Sequence, residues 1–265
     1  MKIHRQFLHG FQEKDHVPMI DPLSYSKFKY GCVTSTRLFA SQMAQLVHQS
    51  YSVESDVVIA SSAFLSVPNA AALMTNEMFQ CFPENYFSRT YLKRDRVFPY
   101  DYACLEQNQR TKSMKKISLA FEKEQIANKT LIVIDDCFVT GAHERNIIHH
   151  LFGCPKEMIF LYLINMGRSF SATIEDEMNS AYVKELFDLL PFMKDPGYEI
   201  NSRTLKFILN APFDDFVGFL SCITSKHTAE IYRKAISEGY QSMSEAYLKK
   251  LDFMSQSIAE FKKIF

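Results

Sequence analysis

Three short apolar runs constrain this chain more than anything else in it: "DVVIA" (Asp56 to Ala60), "LIVI" (Leu131 to Ile134) and "MIFLYLI" (Met158 to Ile164). Each is too short for a buried helix and rich in residues that suit a strand covered on both faces. Stretches with helical spacing lie between them, such as "TSTRLFASQMAQLVHQSY", where Leu38, Phe39, Met43, Leu46 and Val47 recur every three or four residues. "SSAFLSVPNAAALMTNEMF" after the first run reads as a small-residue loop leading into a helix, and "HERNIIHHLF" as a helix stopped by Gly153 and Pro155. Strands alternating with helices predict an α/β fold, a parallel sheet flanked by helices. From Ile174 onward only helical periodicity is found. The expected organisation is therefore an α/β domain over residues 1–170 and an all-helical extension over 171–265.

The functional classes open to the chain are narrowed by charge and cysteine. Thirty basic and thirty acidic side chains give a formal net charge of zero, so no global field favours nucleic acid or an anionic membrane. No run approaches the ~18 apolar residues of a membrane span, and the start, "MKIHRQFLHGFQEKD", lacks the apolar core of a signal peptide. Six cysteines without a C-x-x-C pair read as reduced thiols. These features together predict a cytoplasmic protein.

Chemistry concentrates at "LIVIDDCFVTGAHE" (Leu131 to Glu144). Ligands of open α/β sheets bind beyond the carboxyl ends of the strands, where Asp135 and Asp136 fall. The following helix turns its free N–H groups at Thr140, Gly141, Ala142 and His143 toward the same crevice, a setting for a phosphate. Two acids beside such a cradle suit a sugar phosphate. No Gly-Lys pair for a P-loop and no G-x-G-x-x-G occurs. His143 and His150 stand about 10 Å apart along a helix axis, too far to share one zinc ion. A solvated acid pair beside a helix cap is the plain structural alternative. The basic stretch from Tyr86 to Lys116, with Lys93, Arg94 and Arg110, reads either as a solvated face or as a mobile loop over a site.

This stretch resembles the PRPP-binding signature of the type I phosphoribosyltransferases: four apolar residues, two acids, a short variable run, then Thr-Gly-x-Thr. Within them it is similar to the ComF-like branch associated with bacterial tellurite-resistance operons, as are "YSKFKYG" and the placing of the basic segment. The likeness covers roughly residues 20 to 167. It implies the type I phosphoribosyltransferase fold, and a transfer of the phosphoribosyl group from PRPP to a nitrogenous base with release of pyrophosphate. It further implies that Asp135 and Asp136 contact the ribose hydroxyls, and that Thr140, Gly141, Ala142 and His143 hold the 5′-phosphate. "SSAF" falls at the family's pyrophosphate loop, so Ser61 and Ser62 are expected to present N–H and hydroxyl donors. Lys93, Arg94 and Arg110 are expected to neutralise the leaving pyrophosphate. Mg²⁺ is expected through PRPP and water, without direct protein ligands. His143 replaces the signature's last Thr, and the N-terminal zinc-binding cysteines of many ComF relatives are missing. A non-catalytic PRPP or nucleotide sensor on the same fold is the alternative. Lys27, Lys29 and Tyr30 are candidates for contact with the base, whose identity the sequence does not reveal. Homodimer formation, cover for the site and partner binding are the roles open to the helical region.

Overall fold

A computed structural model describes residues 1–12, 17, 18, 20–51, 56–97, 117–166 and 172–264. The strands are β1 (Lys2–His9), β2 (Phe11–Gln12), β3 (Val17–Pro18), β4 (Val57–Ser61), β5 (Ser88–Arg89), β6 (Lys93–Arg94), β7 (Leu119–Ala120), β8 (Thr130–Phe138) and β9 (Glu157–Asn165). Five form one sheet in the order β1-β9-β8-β4-β5, with every neighbouring pair parallel. The other four make two small antiparallel pairs. β1 had no signal among the apolar runs: "KIHRQFLH" is an edge strand, half of it exposed, and so carries charge in place of a continuous apolar run.

The central runs behave as strands covered on both faces. Leu131, Ile132, Val133 and Ile134 have no measurable exposure. Side chains alternate across a strand, so Ile132 and Ile134 join Ile159 and Leu161 on one face. They pack there against α1 (Pro22–Lys29), α2 (Val33–Ser50) and α3 (Ala70–Phe79) through Phe28, Phe39, Met43 and Met74. Leu131 and Val133 join Met158 and Phe160 on the other face. A short helix α4 (Lys123–Ile126) and α5 (Ala142–Leu151) cover that side through Ile126, Ile147 and Leu151. The segment "DPLSYSKFKYG", turn-rich by composition, is helical because Asp21 caps it, accepting from Leu23 and Ser24 N–H, and Pro22 is pre-set for the first helical turn.

Beyond β9 the described chain is helical: α6 (Ala172–Asn179), α7 (Leu190–Met193), α8 (Ser202–Asn210), α9 (Phe213–Ser221), α10 (Ser225–Ser237) and α11 (Glu245–Ile264), with two 3₁₀ turns. These helices build a second core around Leu205, Ile208, Phe216, Phe219, Ile231 and Met254, and Tyr30, Val33 and Val67 from the first part of the chain enter it. Among the described residues no helix is long and apolar enough to cross a membrane.

The seam between the two cores lies at the end of α1. Gly31 has φ +83° and passes so close to the later segment that a Cβ there would meet the Glu199 carbonyl at 2.9 Å. Asn201, fully buried, donates from Nδ2 to the Lys29 carbonyl at 3.0 Å, and Thr204 and Tyr198 donate hydroxyls to the Tyr30 carbonyl. Those contacts fix where Lys29 and Tyr30 emerge.

Candidate functional site

β8 continues past its apolar run and carries both acids within its last turns of pleat. Asp135 follows Leu131 and Val133 onto the α5 face, and Asp136 follows Ile132 and Ile134 onto the α1 face. Adjacent in sequence, the two carboxylates therefore point apart, and each meets its own partner, Lys29 for Asp136 and His143 for Asp135. Lys29, at the end of α1, donates from Nζ to Asp136 Oδ2, and both side chains are largely buried. The other oxygen of Asp136 accepts the Cys137 N–H at 2.7 Å. Burial works to raise the Asp136 pKa, but the adjacent Lys29 ammonium holds it below the ordinary value. Burial likewise works against the Lys29 charge, and Asp136 reverses this so that the ammonium titrates above its ordinary range. Next along the strand, burial and the nearby Glu175 and Asp136 carboxylates push the Cys137 thiol well up, which makes it a poor nucleophile.

Asp135 faces His143, with Nδ1 at 3.2 Å from Oδ2, and its Oδ1 accepts the Asp136 N–H at 3.0 Å. Nε2 of His143 is buried and has no hydrogen-bond partner among the described residues. Behind this pair Glu144, 1% exposed, accepts from Arg5 Nε at 2.7 Å and Nη2 at 2.6 Å, and from the Tyr162 hydroxyl at 3.1 Å. The fork geometry ties edge strand β1 to the first turn of α5. Burial, with Asp135 and Glu144 nearby, drives the Tyr162 phenol far above its ordinary pKa, so it stays protonated and donates.

The helix start after β8 is built for close approach. Gly141 is the N-cap of α5 at φ +66°, and a Cβ there would meet Phe138 Cε2 at 3.0 Å. The first N–H groups of α5 have no carbonyl one turn back to bond. Thr140 Oγ1 accepts one of them, from Ala142, at 3.3 Å, and the Thr140 carbonyl accepts from Arg145 Nη1 at 2.9 Å. Thr140, Gly141, Ala142 and His143 all line the same cavity, and the Thr140 hydroxyl, accepting from Ala142, keeps its own proton to donate.

The loop after β4 differs from expectation. The N–H of Ser62, expected to be offered to a pyrophosphate, is donated to the Ile134 carbonyl at 2.7 Å, prolonging the sheet. The Ser61 hydroxyl donates to the Ser62 carbonyl at 3.2 Å, and Ser62 Oγ accepts from Asn69 Nδ2 at 3.1 Å. Phe64 N–H goes to the Leu92 carbonyl at 3.3 Å. Ser66 and Val67 N–H both go to Oε1 of Glu238, at 2.8 and 2.6 Å, so a carboxylate from beyond α10 already occupies that turn. Four N–H groups of this stretch, those of Ser62, Phe64, Ser66 and Val67, are thus bonded within the protein.

The basic residues also divide. Arg94 lines the cavity, whereas Lys93, its neighbour in β6, points the other way and sits 3.7 Å above the Phe64 ring. Burial depresses the Lys93 pKa. Arg110 lies outside the described residues. Lys27 lies over the Tyr182 ring at 4.4 Å, away from the acids.

The cavity enclosed by these elements measures about 350 Å³. Asp135, Asp136 and the Thr140–His143 segment form one wall, Ser62, Asn69 and Arg94 a second, and Lys29 and Tyr30 a third. The remaining wall comes from the helical region, for which cover of the site was one of the roles left open by the sequence, without any residue being named for it. It is α8, whose Arg203, Lys206, Phe207 and Asn210 face inward at helical spacing while Leu205, Ile208 and Leu209 enter the second core. Phe207 meets Tyr30 edge-on at 5.2 Å. Among the described residues no group of three His, Cys, Asp or Glu side chains is arranged to hold a metal ion. Magnesium keeps several waters and takes phosphate oxygens, and the Asp135 and Asp136 carboxylates on the cavity wall are of the chemistry that accepts hydrogen bonds from such waters.

The family model that matches the chain is described as PRTase ComF-like and covers residues 3–254. No curated protein matches the chain. Similar solved structures include two crystal forms of a hypoxanthine phosphoribosyltransferase from Staphylococcus aureus. The tetragonal form is 12% identical, with TM-score 0.35 over 49% of this chain and 62% of that one. The orthorhombic form is 11% identical, with TM-score 0.34 over 56% and 66%. The aligned region thus spans less than two thirds of those chains.

Proposed function

Since the chain belongs to the ComF-like phosphoribosyltransferase family, we propose that it transfers the phosphoribosyl group of PRPP to a nitrogen of a base and releases pyrophosphate. The observation that carries this reading is the pair of acids and the Gly141 helix start opening on one 350 Å³ cavity. A dianionic 5′-phosphate takes the N–H groups of Gly141 and His143, the Thr140 hydroxyl and the positive end of α5. Ala142, with its N–H on Thr140, shapes that turn more than it binds.

Asp135 and Asp136 each keep lone pairs beyond those already in use, and these accept the ribose hydroxyls. The nitrogen lone pair forms a bond to the anomeric carbon as the bond to the pyrophosphate oxygen breaks, and that electron pair departs with the pyrophosphate. Positive charge builds on the ribose at the midpoint, where two fixed carboxylates favour it. Negative charge builds on the leaving group, toward Arg94. Magnesium, when carried in on the pyrophosphate, supplies charge neutralisation there, with Asp135 and Asp136 as acceptors for its waters. Lys29 keeps Asp136 ionised and oriented, so it acts on the ribose only through that carboxylate.

A pyrophosphate-release assay with PRPP, Mg²⁺ and a panel of purine and pyrimidine bases tests the proposal. Release that depends on one class of base and disappears in Asp135→Asn is expected. A folded protein that releases pyrophosphate with no member of the panel, yet binds PRPP, would be a sensor and not a transferase.

A further inference from the structure

We propose that α8 belongs to the active site, and that Arg203 and Lys206 hold the pyrophosphate where the loop after β4 has given its Ser62 and Phe64 N–H groups to the protein itself. The inference rests on the phosphoribosyl-transfer reading above and says which residues receive the leaving group. Two observations carry it. The first is the commitment of that loop: Ser62 N–H goes to Ile134, Phe64 N–H to Leu92, and Ser66 and Val67 N–H to Glu238. A pyrophosphate carries several negative charges and needs more donors than a loop whose Ser62 and Phe64 N–H groups are already bonded can supply from them.

The second is the placement of α8. Its N-terminal Ser202 donates its N–H to the Pro68 carbonyl at 2.9 Å, which anchors the helix to that same loop. Arg203 and Lys206 then stand one turn apart on the face that lines the cavity, with Asn210 a further turn along. Lys29 is engaged with Asp136 across the cavity. Arg94 on the adjoining wall completes a cationic surface around the space next to Ser62 and Asn69.

Calorimetric titration of three probes separates this inference from the reading beneath it: inorganic pyrophosphate with Mg²⁺, PRPP with Mg²⁺, and ribose 5-phosphate, which lacks the pyrophosphate. In Arg203→Ala/Lys206→Ala, pyrophosphate and PRPP should each bind at least about tenfold more weakly, since charge-assisted contacts are lost, while ribose 5-phosphate binds as to wild type. The exchange Arg203→Lys/Lys206→Arg keeps the charge and should retain most of the affinity, which guards against a loss of fold being read as a loss of contact. Pyrophosphate bound equally well by wild type and the Ala variant overturns the role of α8 and leaves the transfer reading standing, provided ribose 5-phosphate still binds. Wild type that binds none of the three probes overturns both.

Discussion

Asp136 and Lys29 show what decides the chemistry at the scale of single residues. A buried pair gains little over an apolar pair of the same shape, but removing one partner leaves an uncompensated charge. Lys29→Met should therefore cost about 3–5 kcal/mol at neutral pH, read as a shift in the urea midpoint. The sign with pH follows from the two shifts. The lowered Asp136 pKa contributes stability above the ordinary carboxylate range, lost as pH falls through the folded value. The raised Lys29 pKa contributes below the ordinary lysine range, lost only as pH rises through its higher folded value. Wild type should show no pH dependence from this pair between those limits. In Lys29→Met the orphaned Asp136 instead titrates upward, so the deficit should shrink as pH is lowered from 7 to 5. A deficit that is constant over that range would contradict the pairing. The sequence made Asp135 and Asp136 visible because two acids directly after a buried run are unusual. It could not show their opposite facing partners, since Lys29 lies 107 residues before Asp136.

The turn between β8 and α5 governs the site at the scale of elements. Gly141 is held at positive φ with Phe138 close to where a side chain would begin. Gly141→Ala should cost about 1–3 kcal/mol for the left-handed backbone alone and should weaken ribose 5-phosphate binding beyond that cost, because the helix start is displaced. Unchanged affinity would mean that the phosphate does not sit on this turn. The strand and helix on either side were legible because their periodicities are strong. β1 was not, because an edge strand such as "KIHRQFLH" has one solvated side and no apolar run. α8 was legible as a helix but not as a wall. A polar stripe of Arg203, Lys206 and Asn210 reads the same whether it faces solvent or a cavity, and only the packing of Leu205 and Ile208 on the other side settles which. The loop after β4 shows the converse case: "SSAF" has the composition of an anion loop, but the N–H groups of Ser62 and Phe64 go to the Ile134 and Leu92 carbonyls, and Glu238 takes those of Ser66 and Val67 just beyond it.

Whole-molecule behaviour follows from the seam at Gly31. Tyr30, Val33 and Val67 are buried in the second core, Asn201 and Thr204 hold the end of α1, and Glu238 holds the β4 loop. A division at about residue 170 marks a change of architecture, and we expect it not to mark a separately stable unit. Urea unfolding followed by fluorescence and by far-ultraviolet circular dichroism should give coincident single transitions. Two resolved transitions would show that the helical region folds on its own. The family match over residues 3–254 crosses the same boundary, in keeping with a site whose walls come from both sides of it.

The most direct test of the central claim is calorimetric titration of PRPP with Mg²⁺ into wild type and Asp135→Asn. Micromolar binding that is lost in the variant, with both proteins folded, is the expected result. Folded wild type that takes up no PRPP at millimolar concentration would contradict it, and the acid pair would then be no part of a sugar-phosphate site.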